Sequence, residues 1–111
     1  MEDKIKSGYL YDFYGELLTE HQRSVYGMSI NDDLSLSEIA DTLSISRQGV
    51  HDLLKRCDHQ LEDYEARLHL VEKFLKIRAD VIHINELTGT EANAATMAEI
   101  SRLSSSILEE L

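Results

Sequence analysis

The residues of this chain best suited to chemistry lie in the run SLSEIADTLSISRQGVHDLLKRC, from Ser35 to Cys57. At about 100° per residue, Gln48, His51 and Lys55 fall within roughly 100° of Arg47 around a helix. Val50, Leu53, Leu54 and Cys57 fall on the other side. Arg pairs through two hydrogen bonds with guanine, and Gln does the same with adenine. Arg47 and Gln48 open their helix, the place from which recognition helices reach base edges. Lys55 and Arg56 suit phosphate contacts. Asp52 borders this face and opposes a polyanion. The expected DNA-contacting set is Ser46, Arg47, Gln48, His51, Lys55 and Arg56.

Other chemistry is poorly supplied. His69 with Glu72, and His83 with Glu86, share helix faces. A metal needs three or four convergent ligands, and no H-E-x-x-H spacing exists. Carboxylates are abundant but lie beside Lys and Arg on helical faces, where they read as solvated charge. The single Cys, Cys57, excludes an internal disulfide and a Cys-based zinc site. It lies on the inner side of its helix and reads as core. There is no Gly-rich phosphate loop and no nucleophile elbow. The expectation is no enzyme, no cofactor and no metal.

The elements that must position Arg47 and Gln48 form a helix-turn-helix. Ser35 and Glu38 make a capping box for a helix over about 36–43, and Ser46 caps a second over about 47–57. Ala40 is small enough for the two helices to cross closely. Ile39, Leu43 and Ile45 suit the crotch between them. Gly is common in this turn, but Ser44 occupies it, and a non-Gly residue at positive φ costs on the order of 1 kcal/mol.

Upstream, Tyr9, Leu10, Phe13, Tyr14, Leu17 and Leu18 recur at helical spacing and read as core. Thr19 and Gln22 make a second capping box, and NDD at 31–33 is a turn. Downstream, Cys57, Leu61, Tyr64, Leu68, Val71 and Leu75 form one heptad-like seam. Leu70, Phe74, Ile77, Val81 and Ile84 form another. A helix apolar on two faces needs two covers. One is the last helix, expected from about 91 behind a Thr88–Glu91 capping box, with Met97, Ile100, Ile107 and Leu111 on its stripe. The other is a second chain, so Leu70, Phe74, Ile77, Val81 and Ile84 are the expected homodimer contacts. The expected organisation is a helix-turn-helix domain over 1–58 and a dimerisation region over 59–111.

Composition agrees with an all-α fold. The chain of 111 residues contains no Pro and only five Gly. Its net charge of −10 is spread along the chain, with six Lys/Arg against ten Asp/Glu over 1–57 and five against eleven over 58–111. Such a surface repels nucleic acid in general, so DNA binding needs a local basic patch. The N-terminal MEDKIKSGYL has no apolar signal-peptide core, and no apolar run approaches the ~20 residues of a membrane span. A cytoplasmic protein without membrane insertion is expected.

YLYDFYGELLT at 9–19, DLSLSEIADTLSISRQGVHDLLKRC at 33–57 and LEDYEARLHLVEKF at 61–74 resemble the YlxM-type helix-turn-helix proteins of Gram-positive bacteria. The helix-turn-helix also resembles the fourth-region DNA-binding domain of sigma factors. That resemblance implies a winged-helix-like DNA-binding fold without the wing, followed by long C-terminal helices. The resemblance to the YlxM-type family implies a link to the signal recognition particle pathway. Two functions stay open on this basis: a DNA-binding regulator, and an adaptor that contacts the particle's protein or its receptor. Gly49 departs from the family's more usual Ala, which weakens its helix by ~0.5–1 kcal/mol.

Overall fold

A computed structural model describes residues 3–111. These residues form α1 (Asp3–Tyr14), a 3₁₀ turn (Gly15–Leu17), α2 (Glu20–Ile30), α3 (Leu36–Leu43), α4 (Arg47–Leu68), α5 (Leu70–Thr88) and α6 (Ala94–Glu110). No strand occurs among the described residues, so the fold is all-α as expected. The chain divides into two compact units, the first ending at His69 and the second beginning at Leu70.

Local hydrogen bonds define the helix starts. Thr19 Oγ1 accepts from Gln22 N at 3.2 Å while Gln22 Oε1 accepts from Thr19 N at 3.1 Å. Ser35 and Glu38 make the same reciprocal pair, both bonds at 3.1 Å. Each box satisfies two N–H groups that a helix start leaves orphaned. Two positions differ from the sequence reading. Thr88 ends α5, donating its hydroxyl to Asn85 O, and Asn93 caps α6 by accepting from Thr96 N at 2.9 Å. Position 58/59, the expected domain boundary, lies inside α4. The helix continues through it because Cys57 and Leu61, both wholly buried, carry its inner stripe onward without a break. The amphipathic stretch is interrupted instead at His69, which takes a left-handed conformation at φ 56°.

In the first unit, Val25, Ile39, Ala40 and Val50 form a buried cluster, with Met28, Leu34, Leu36, Leu43, Leu53 and Leu54 packed around it. This cluster ties α2, α3 and the first half of α4 together. Of the aromatic stretch in α1 and its turn, Leu10, Tyr14 and Leu18 are buried, while Phe13 and Leu17 are exposed. Tyr11 lies across α2: its ring centroid is 5.5 Å from that of Tyr26, and its hydroxyl donates to Arg23 O at 3.1 Å. Glycine leaves room for it on both sides. A Cβ at Gly15 would lie 3.0 Å from Tyr11 Cδ1, and one at Gly27 would lie 3.1 Å from Tyr11 Oη.

The second unit is a helical hairpin of α5 and α6. The buried residue of α6 is Leu103, flanked by half-buried Ile100 and Ile107. Met97 and Leu111, expected on the inner stripe, are 59% and 87% exposed. The stripe through Leu103 puts Ile100 and Ile107 inside and rotates Met97 out. Lys76 Nζ donates to Glu110 Oε1 at 2.7 Å and to Ser106 Oγ at 3.3 Å, bridging the two helices. Glu110 raises the Lys76 pKa by that bond.

Candidate nucleic-acid interface

The turn between α3 and α4 fixes the geometry of the site. Ser44 adopts φ 57°, the left-handed conformation. This lets its own N–H and that of Ile45 both reach Ala40 O, the latter at 3.2 Å. The chain reverses over two residues and delivers Ser46 to the start of α4. Ile39 in this crotch is fully buried and Leu43 half-buried; Ile45, also expected to fill it, is 43% exposed.

Ser46 Oγ accepts from Gly49 N at 3.0 Å, capping α4. Its hydroxyl is thereby committed to the helix start. A Cβ at Gly49 would stand 3.1 Å from that same oxygen, so the missing side chain leaves the cap uncrowded. Val50 and Cys57 are wholly buried, and Leu53 and Leu54 are half-buried. The opposite side of α4 is therefore the outer one, and Arg47, Gln48, His51, Lys55 and Arg56 are all exposed.

Three of these residues are brought together. Arg47, Gln48 and His51, with Leu36 from the start of α3, line an open hollow of about 440 Å³. Leu36 and Arg47 are the first residues of their helices, so two N-terminal dipole ends border this space. Lys55 lies about two turns from the start of α4, on the same side as Gln48. Arg56 stands roughly 180° around the helix from Arg47 and does not share that face.

Charge is segregated along α4. From Arg47 to Cys57 it carries three basic residues and one acidic; from Asp58 to Leu68 it carries one basic and four acidic. No acidic residue occupies its first turn. Arg47 therefore adds to the positive end of the helix dipole, a placement unfavourable for the isolated helix and attractive to an anion. Among the described residues, Arg47, Lys55 and Arg56 make no ion pair.

Asp52 has a role that its bordering position does not suggest. Its Oδ1 accepts from Gln48 Nε2 at 3.0 Å and lies 3.6 Å from His51 Nδ1. The sequence signal was the four-residue spacing of Gln48 and Asp52, which places them as neighbours on a helix. Leu36 was not anticipated as part of this surface.

No group of three His, Cys, Asp or Glu side chains placed to hold a metal occurs among the described residues. None of the described helices is long and apolar enough to cross a membrane. Burial raises the pKa of the Cys57 thiol, with Asp58 adding to the shift, on the inner side of α4.

A family model described as "Putative helix-turn-helix protein, YlxM / p13 like" matches residues 1–102. A UPF0122 protein of Clostridium botulinum is 51% identical over 76 residues, covering 68% of this chain and 70% of that protein. One from Clostridium novyi is 45% identical over 92 residues, covering 82% and 80%. One from Bacillus cereus is 42% identical over 91 residues, covering 82% and 83%.

Proposed function

The chain belongs to the YlxM / p13-like helix-turn-helix family, and we propose that it is a DNA-binding regulatory protein whose α4 enters the major groove N-terminus first. The observation that carries this reading is the exposed group Arg47, Gln48 and His51 around one hollow, at a capped helix start without a first-turn carboxylate. Arg47 and Gln48 read bases. Lys55, on the same side as Gln48, approaches a phosphate, while Arg56, off that face, is at most a peripheral phosphate contact. Ser46 contributes through its cap, which holds Arg47 and Gln48 in place. The local excess of basic charge over 47–57 answers the repulsion expected from a net charge of −10. Selection from random duplex DNA at low salt tests the reading. Recovery of a motif supports it; enrichment of nothing rejects it.

The dimer belongs to the same proposal. Leu70, Phe74 and Val81 are 42%, 40% and 50% exposed, and Ile77 and Ile84 are half-buried. A second copy across this face of α5 would set half-sites about 34 Å apart or a multiple of that. Sedimentation at high concentration should then exceed the monomer mass of 12.7 kDa, and a monomer would remove the dimer from the account.

A second reading rests on the acidic half of α4, where Glu62 and Asp63 are exposed. An adaptor could use it to contact a basic partner, either the signal recognition particle's protein or its receptor. Salt-sensitive capture of purified particle protein or receptor would favour this reading. Binding of neither at micromolar concentration would dismiss it.

A further inference from the structure

We infer that Asp52 is the positioning residue that biases the base preference of Gln48, orienting its amide for adenine. The inference rests on the DNA-binding reading above and deepens it. A Gln amide has two ends, an N–H₂ donor and a C=O acceptor, and a rotation about its last bond exchanges them. Free in water, it can offer either pattern to a base. Asp52 biases that choice. An ionised carboxylate only accepts, so only the Nε2 end of Gln48 can face it, and the bond is made at 3.0 Å. One N–H of Gln48 is used there. The other N–H and Oε1 remain for the groove.

That remaining pair, one donor beside one acceptor, matches adenine, whose N7 accepts and whose N6 donates. It mismatches guanine, whose N7 and O6 both accept. Arg47, one residue earlier, supplies donors alone and takes guanine. The two neighbours at the start of α4 therefore carry complementary preferences, and the second is reinforced by Asp52. The same carboxylate oxygen is 3.6 Å from His51 Nδ1. Its side chain is 62% exposed, so a substitution there leaves the core untouched.

The test is selection from random duplex DNA followed by affinity measurement on single-base variants of the selected site. It uses the full chain and the variants Gln48→Ala, Asp52→Ala and Asp52→Asn. Wild type should prefer adenine at one position, on the order of tenfold over the other bases. Gln48→Ala should flatten that position. Asp52→Ala should reduce the preference at the same position about twofold while overall affinity holds or rises, because a negative charge leaves the interface. Asp52→Asn keeps an acceptor oxygen for Gln48 Nε2 and should restore much of the preference without the charge. An unchanged preference in Asp52→Ala would overturn the inference. So would a loss at a different position, the mark of a carboxylate that itself accepts from a cytosine amino group. Failure of the wild type to select any sequence would overturn the DNA-binding reading itself, and the inference with it.

Discussion

The Tyr26 hydroxyl, buried between α2 and α4, donates to Asp58 Oδ1 at 2.5 Å. Seven residues further along α4, Glu65 Oε1 accepts from the Tyr14 hydroxyl, also at 2.5 Å. Two tyrosines from different helices thus hold carboxylates two turns apart on α4. They lie on the half of the helix beyond the basic face. The rotation at which α4 presents Arg47 and Gln48 is fixed from behind by these bonds and by the packing of Val50 and Cys57.

Tyr26→Phe should therefore destabilise the protein by about 1.5–3 kcal/mol, the range for a hydrogen bond to a charged group. The pH dependence gives a second check. Burial, then the Asp58 bond, push the Tyr26 hydroxyl well above its ordinary 10.0. A raised folded-state value means this stability is complete below pH 10 and declines as pH rises, because the unfolded tyrosine ionises first. Urea unfolding at neutral and alkaline pH should show a decline in wild type that is smaller in Tyr26→Phe. Equal slopes would contradict the assignment.

Ser44→Gly should stabilise the protein by about 1 kcal/mol. Ser44 holds φ 57°, which strains a residue with a Cβ and suits glycine. Thermal unfolding measures it. A lower melting temperature would mean that the serine side chain contributes something its backbone strain conceals.

Cys57 should resist alkylation in the folded protein. It has no exposed surface, and burial raises its thiol pKa, so little thiolate forms near neutral pH. Iodoacetamide labelling should be fast in urea and slow without it. Rapid labelling of the native protein would show that α4 separates from the core.

Much of the interface was legible because its determinants are local. Ser35, Glu38 and Ser46 act on backbone groups three residues away, and the strained turn at Ser44 follows from the close crossing at Ala40. Thr88 and Glu91 misled for the same reason. They have the spacing of a capping box, yet Asn93 stands directly before the Ala-rich start of α6 and takes the cap. The stripe of α6 was shifted because Met97 and Leu103 offer competing phases, and packing on α5 selects Leu103. The hollow beside Arg47 was not legible at all, since one wall is Leu36 from a different helix. Asp52 was visible as a charge near Gln48 but not as its hydrogen-bond partner, because spacing alone does not say which way an amide turns.

If the start of α4 binds DNA, Arg47 carries much of that binding. Titration of a selected duplex, followed by fluorescence anisotropy at low salt, tests it directly in wild type and Arg47→Ala. Arg47 is exposed and makes no ion pair among the described residues, so its loss should leave the fold intact by circular dichroism. Arg47→Ala should bind about tenfold more weakly and lose its preference at one guanine. Equal affinity and equal base preference in the two proteins would contradict it.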